Sequence, residues 1–426
     1  MSRLLRAAQL GAVTSFGLIR MTLRRLDRAL RRDRRGGEVW RTDLPLLLAR
    51  LGPTFVKFGQ LASTRRDLLS PDWCQALSTL TTQAPAPPVT EVAAVLGVAE
   101  PSAPPPGFAS FEWTPFASGS IATVHRAVLP DGRRVAVKVR RFGIERVMRA
   151  DLALMMGVSN VLRRIPPLRN VPVREMTTQI SDAVLRQLDF VAERDSLRKL
   201  GAAFTDDAAV RIPAIVEELC TPDVVVMEYI PDLVVYRPEG LNADQRRTVV
   251  EQTLRTVYRM LFLDGTVHCD LHPGNLYLQP DGSLVILDAG FVVELPQRVR
   301  RLFAAFFLNM ALGRGERCAD IVIESAAVIG DRADLAGLRV ALTELVASVS
   351  GVRSQDFELG DFGAKLFLLQ RRFGVYAAAE FVFPLLCLLV IEGMVKDFDS
   401  GVDFQALAVP VLLEALVTRG AGPVAS

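Results

Sequence analysis

Half of the 426 residues are apolar, and 50 Lys and Arg stand against 47 Asp and Glu for a net charge of +3. Such a chain is globular, not disordered, and has material for one two-lobed domain with extensions. Its five cysteines (Cys74, Cys220, Cys269, Cys318, Cys387) are odd in number and lack Cys-x-x-Cys spacing, which argues against a disulfide framework or a zinc site and fits a reducing cytoplasm.

Residues 1–41 form a basic arm. Met1 to Arg35 holds ten Arg against Asp27 and Asp33, so this stretch carries +8 and the rest of the chain −5. The apolar run from Ala7 to Ile19 is too short to cross a bilayer as a helix, which takes about 20 residues. It also lacks a signal peptide's small-residue cleavage site directly after it. Two readings stand: an amphipathic helix lying on an anionic membrane surface, where each Arg contributes on the order of 1 kcal/mol, or a helix packed on the domain with its Arg face in water.

Leu44 to Leu80 reads as helix in two pieces, closed by the Pro-rich stretches Ala84–Pro88 and Pro101–Gly107, so a boundary is placed near 107. Three strands are expected at 108–116, 121–129 and 134–140, the last two joined by a Pro130-Asp131-Gly132 turn. Helical periodicity covers 144–162 and 173–200, and strands follow at 211–218 and 224–228. An extended stretch, 227–232, leads into a helical region from Asn242. There the short apolar runs Leu276–Leu278 and Leu284–Leu287 flank the turn Gln279-Pro280-Asp281-Gly282 and predict a hairpin. Phe381 to Ile391, with Pro384 inside, reads as a core helix and Asp361-Phe362-Gly363 as a turn between helices. These elements predict an α+β chain: a small mixed lobe and a larger helical lobe with a nucleotide cleft between them.

The chemistry concentrates in His268-Cys269-Asp270-Leu271-His272-Pro273-Gly274-Asn275 and in Leu284-Val285-Ile286-Leu287-Asp288-Ala289-Gly290. An acid near an acceptor hydroxyl, an amide, and a second acid beyond a strand pair are what a phosphoryl-transfer site needs: Asp270 orients the nucleophile while Asn275 and Asp288 hold Mg²⁺. His268 and His272 are expected to brace this loop, and His125 to be structural. Only five lysines occur beside 45 Arg, and Lys138 sits in Val-Ala-Val-Lys-Val, where alternation turns Val135, Val137 and Val139 to one face and Lys138 to the other. A compact ammonium there suits an α/β-phosphate. Glu193, with Asp189 one turn earlier on the same helical face, is the carboxylate expected to steady it. Ala117-Ser118-Gly119-Ser120-Ile121-Ala122-Thr123-Val124 occupies the place of a phosphate-covering turn.

These motifs, with Lys57-Phe58-Gly59-Gln60, resemble those of the UbiB/AarF family of atypical kinases, bacterial relatives of the mitochondrial proteins that support coenzyme Q synthesis. The likeness covers about 44–399. It implies a protein-kinase-like two-lobed fold divided as the arm 1–41, a family-specific helical extension 42–107, an N-lobe 108–229 and a largely helical C-lobe 230–426. In the family the extension packs where a peptide substrate would bind, with its Lys and Gln pointing into the active site. The implied nucleotide-contacting set is Lys57, Gln60, Ala117, Gly119, Val124, Lys138, Met227 and Glu228; the catalytic set is Asp270, Lys138 and Glu193; the metal set is Asn275 and Asp288. Departures are Gly119 and Ala122-Thr123 in a loop that is Ala-rich with Gly-Gln in the family, Gln187-Leu188-Asp189 in place of Glu-x-Asp, and Ala289 in place of the Phe of Asp-Phe-Gly.

The resemblance implies ATP and Mg²⁺ as cofactors and a role in isoprenoid-quinone or lipid metabolism, in the cytoplasm or peripherally on the inner face of its membrane. A silent nucleotide-binding scaffold or lipid-handling partner is the alternative, and a kinase for a small-molecule hydroxyl a weaker third. No nucleic-acid partner is expected, because outside the arm no basic stripe with interleaved aromatics occurs.

Overall fold

A computed structural model describes residues 3–30, 39–63, 71–80, 84–162, 173–271, 274–350, 357–399 and 401–417. His272 and Pro273 lie outside these residues, as does part of the basic arm. In chain order the elements are α1 (Arg3–Leu30), α2 (Val39–Leu51), α3 (Pro53–Ser63), α4 (Pro71–Ser78), α5 (Val89–Val95), β1 (Ser110–Phe111), β2 (Ala117–Ser118), β3 (Ala122–Val128), β4 (Arg134–Arg140), α6 (Ile144–Leu162), α7 (Val173–Arg186), α8 (Phe190–Ala203), β5 (Val210–Arg211), β6 (Val224–Glu228) and β7 (Val234–Val235). They continue as α9 (Ala243–Tyr258), β8 (Thr266–His268), β9 (Leu276–Leu278), β10 (Leu284–Ile286), β11 (Val292–Glu294), α10 (Gln297–Ala311), α11 (Gly315–Glu324), β12 (Ala326–Ile329), α12 (Leu335–Val349), α13 (Leu359–Arg372), β13 (Val375–Ala377), α14 (Val382–Phe398) and α15 (Phe404–Val417). The chain divides into two compact units, Met1–Asp195 with Ala214–Tyr229, and Ser196–Pro213 with Ile230–Ser426.

In the first unit an antiparallel sheet runs β1-β3-β4-β6, with β2 paired to β3. The β3–β4 hairpin closes on Gly132 at φ 86°, and the Asp131 carboxylate accepts the Arg133 N–H, a bond that holds its pKa below the usual value. Alternation along β4 works as expected. Val135, Val137 and Val139 join a core with Ala127, Leu129, Val224 and Val226, while Ala136 belongs to a second core with Ile121, Met148, Leu152, Val184 and Phe190. The stretch 44–80 holds three helices, α2 to α4, where two were expected, because Gly52, at φ 113°, separates α2 from α3. Gly59 permits their close packing, since a Cβ there would lie 2.3 Å from Leu80 Cδ1 and 3.0 Å from Leu48 Cδ1.

The arm's helix α1 is docked at two points. Arg6, only 7% exposed, donates through Nε and NH2 to the fully buried Asp151 carboxylate and through NH2 to Leu51 O, while Thr54 donates to the same carboxylate. Leu10 packs with Leu47 and Leu51, and Arg24 pairs with the buried Asp43 at 2.6 Å. The expected water-facing Arg face is therefore incomplete: Arg6 points inward.

The helix expected over 173–200 is interrupted at 187–189. Asp189, expected inside that helix, instead caps α8, its carboxylate accepting the Ala192 N–H at 3.0 Å. Of the strand expected over 211–218 only the first residue is in β5, and Glu217–Leu219 is a 3₁₀ turn.

In the second unit β5, β10, β9 and β7 form a sheet in that order, with β5 and β10 parallel and the other pairings antiparallel. The expected hairpin is β9–β10. Helix α9 starts in a capping box of Asn242 and Gln245 and runs into a π-helical turn, Arg259–Asp264, that ends on Gly265 at φ 75°. A Cβ on Gly265 would meet the Arg300 guanidinium at 2.9 Å, where Arg300 donates to Leu263 O. Pairs β8–β11 and β12–β13 are additional strands within the region expected to be helical. The Phe381–Ile391 run enters α14, whose Leu388 and Ile391 are fully buried. Asp361-Phe362-Gly363 is not a turn. It lies in the first turns of α13 with Phe362 buried among apolar side chains.

Candidate active site

In the second unit the site is organised by the pairing of β8 with β11, in which Val292 lies opposite His268. That register returns the chain after β10 to the loop that follows β8, and the Cys269 N–H donates to Phe291 O at 2.9 Å. His268, 1% exposed, ties the two segments together: its Nδ1 accepts the Asp270 N–H at 3.3 Å and its Nε2 faces Asp288 O at 2.6 Å. Because a backbone N–H can only donate, Nδ1 is the bare nitrogen and Nε2–H donates to Asp288 O. The brace expected of His268 is thus present, while His272 lies outside the described residues.

Asn275 Nδ2 donates to Asp270 O at 2.9 Å, and the Leu287 N–H donates to Asn275 O at 3.2 Å. Asp288 Oδ1 accepts the Gly290 N–H at 2.9 Å, which shapes the turn carrying the second acid. Asp270, Asn275 and Asp288 are all half-buried. Tyr277 donates to Gly274 O, and burial first, then the charge of Asp288, pushes its phenol above the ordinary value. Asp270, Asn275 and Asp288 therefore stand on two short segments bonded to each other.

The donor set suits a hard divalent cation. With Asn275 Nδ2 committed to Asp270 O, its carbonyl oxygen is the atom left for a metal, and Asp288 adds carboxylate oxygen. No cluster of three or more His, Cys, Asp or Glu side chains forms a metal cage among the described residues. A cation here would take its remaining oxygens from phosphate and water, the habit of Mg²⁺.

In the first unit Lys138 and Glu193 form the expected ion pair, Nζ to Oε1 at 2.5 Å, with side-chain exposures of 14% and 1%. Nζ also stands 5.3 Å from the Phe190 ring centroid. Glu193 is placed by the Asp189 cap one turn earlier. Val124 lies opposite Lys138, and Met227 opposite Ala136, so Val124, Ala136, Lys138 and Met227 stand together on one region of the sheet. Glu228 ends β6, its N–H donating to Ala214 O.

The turn Ala117–Val124 is fixed by a residue that the sequence did not single out. Arg141 donates to Gly119 O, Ser118 Oγ and Pro85 O, while Gly119 N–H donates to Ala122 O. A basic pair at the end of a strand carries no signal for such a role. Thr123 departs from the family's Gln and is buried, its hydroxyl committed to His125 Nε2 at 2.9 Å. His125 is structural, as expected, with Nδ1 on Glu112 O. On α3, Lys57 is half-buried and Gln60 donates to Leu80 O at 3.0 Å. Ala289, which stands in place of the Phe of Asp-Phe-Gly, is buried, and two residues on Phe291 packs edge-on to Phe383 at 5.9 Å.

Residues 79–322 match the ABC1 atypical kinase-like domain. The chain is 31% identical to "Probable protein kinase UbiB" of Shewanella loihica, over 92% of this chain and 72% of that one. To the protein of that name in Aeromonas salmonicida it is 32% identical, over 85% and 68%. Among solved structures, the complex of Rv3197 with erythromycin from Mycobacterium tuberculosis superposes with a TM-score of 0.57 at 22% identity, covering 86% of this chain and 89% of the other, a likeness of fold.

Proposed function

Because the chain belongs to the family of UbiB-type atypical kinases defined by the ABC1 domain, we propose that it binds ATP with Mg²⁺ and catalyses phosphoryl transfer or ATP hydrolysis. The observation that carries the reading is the buried Lys138–Glu193 pair at 2.5 Å. In this chain of 45 Arg, the ammonium is kept where a phosphate-contacting lysine belongs and is oriented by a carboxylate with 1% exposure.

Lys138 would contact the phosphates, with Ala117, Gly119, Val124, Met227 and Glu228 about the nucleotide and Lys57 and Gln60 lining its site. Asn275 and Asp288 would hold the metal, and Asp270 would orient the nucleophile and receive its proton. Bound Mg²⁺ would supply neutralisation of charge on the phosphate oxygens. Positioning and fixed charge supply most of the rate in such transfers.

The proposal extends, on family grounds, to isoprenoid-quinone or lipid metabolism at a membrane. No helix of the described residues is long and apolar enough to cross one, so the contact proposed is peripheral and made through the basic arm.

Isothermal titration of Mg²⁺-ATP, with turnover measured in parallel, tests the reading. Asp288→Asn is expected to abolish Mg²⁺-dependent binding with the fold intact, and unchanged ATP affinity in that variant would overturn the assignment. ATP bound without any Asp270-dependent turnover would select the silent-binder alternative, which the buried Ala289 and Thr123 favour.

A further inference from the structure

In the first unit a cavity of about 530 Å³ opens between the end of α5, the bend that joins β4 to α6, and the turn before β6. That is the size of an ordinary small-ligand site, and four of its lining residues are arginines. Two of the four are balanced within the wall. Arg140 pairs with Asp223 and, at 3.3 Å, with Glu145, whose other oxygen takes Arg149 Nε at 2.8 Å, so two cations and two anions form a neutral chain.

The other two, Arg141 and Arg146, have no carboxylate within ion-pair distance among the described residues. Arg141 is half-buried and spends its guanidinium on Gly119 O, Pro85 O and Ser118 Oγ, neutral oxygens that leave its charge unbalanced. Burial lowers its pKa, against a smaller opposing pull from the charge of Glu91 on α5. Arg146, in the first turn of α6, is exposed, and its guanidinium makes no hydrogen bond or ion pair among the described residues. The lining therefore carries four cations against two anions, an excess of two positive charges.

Apolar surface stands beside this charge. Phe142, next to Gly143 at φ 69°, is 63% exposed, and Val95 and the buried Ile144 extend that side. A lone exposed ring on a convex surface calls for no explanation. This one shares a concavity with unbalanced guanidiniums, which suits a ligand that is anionic at one end and apolar at the other.

We propose that the cavity binds a small phosphomonoester with an aromatic body, its dianionic phosphate taken by Arg146 at the rim and Arg141 at the wall, its body laid against Phe142 and Val95. Two negative charges match the excess, and the planar guanidinium fork matches phosphate oxygens. The site uses none of the residues assigned to the catalytic or metal sets. Its test needs no nucleotide, so failure of one reading leaves the other standing, and it leaves Arg141 untouched because that residue also holds the Ala117–Val124 turn.

Phenyl phosphate, inorganic phosphate and benzyl alcohol are titrated calorimetrically into the full chain at low salt, above the second phosphate pKa of about 6. The expected result is saturable binding of phenyl phosphate, weaker binding of inorganic phosphate by about fivefold, the equivalent of one aromatic contact, and none of benzyl alcohol. Arg146→Gln should weaken phenyl phosphate on the order of tenfold, as loss of a charge-assisted hydrogen bond does. Arg146→Lys, which keeps the charge without the fork, should fall between and makes the comparison independent of how the Gln variant folds. Phe142→Ala should abolish the advantage of phenyl phosphate over inorganic phosphate. Arg186→Gln, an equal loss of charge at an exposed residue outside the cavity, should change neither. The proposal is overturned by absence of saturable phenyl phosphate binding, by inorganic phosphate binding as tightly, or by an affinity that Arg146→Gln leaves unchanged or lowers no more than Arg186→Gln does.

Discussion

Separating Lys138 from Glu193 is the perturbation with the most to say. At 2.5 Å and an effective dielectric near 20, the attraction between unit charges is roughly 6–7 kcal/mol. Desolvating each ion costs several kcal/mol, so the net worth of the pair is small. Half a pair is different, because one buried charge without its partner costs ~3–5 kcal/mol. The two halves are not equal. Lys138→Met takes the ammonium from beside a carboxylate with 1% exposure and belongs near the upper figure, whereas Glu193→Gln leaves an ammonium with 14% exposure beside the Phe190 ring and belongs near the lower. Combining the substitutions removes both charges, so the double variant should cost less than the two singles summed by about 2–3 kcal/mol. Urea unfolding of the wild type, both single variants and the double variant measures this directly. ATP turnover should fall in all three variants, and the double should be no worse than Lys138→Met, as for groups acting as a unit. Additive destabilisation in the double variant would refute the argument, because it would mean the two side chains do not feel each other.

His125 is held below its ordinary pKa chiefly by burial, against a smaller opposing effect of its bond to Glu112 O. A depressed folded-state value stabilises above the unfolded pKa of about 6.5 and is lost as pH falls through the folded value. Stability should therefore drop below about pH 6.5, and His125→Gln should flatten that part of a pH series of thermal melts. Gly59→Ala places a Cβ 2.3 Å from Leu80 Cδ1 and should cost ~1–3 kcal/mol by overpacking. A second change, Leu80→Ala, should cost less in that background than alone, as calorimetry would show. Flotation with anionic liposomes should carry the full chain but not a variant beginning at Arg41; equal flotation of the two would discard the membrane role of the arm.

What the sequence disclosed about the site was mostly what local chemistry dictates. Val-Ala-Val-Lys-Val placed Lys138 on the correct face because strand alternation has a fixed period, and the β9–β10 hairpin followed from its turn residues. Glu193 could be matched to Lys138 once both motifs were seen. Features made by distant partners stayed hidden. The two-residue β5 reports nothing by periodicity, and β8 pairs with β11 only because the intervening hairpin returns the chain. Asp189 looked like a helix residue because capping and interior acids are alike without the break at 187–189. The Asp361-Phe362-Gly363 triplet, expected as a turn between helices, lies instead in α13, where Gly363 is buried near Leu385.

Arg6 and Asp151 are 145 residues apart in the chain. At about 5–20 residues per second, the ribosome releases the first of them roughly 7–30 s before the second exists. During that interval the amino-terminal helix has an ionic partner still to be translated and an apolar side whose cover is incomplete.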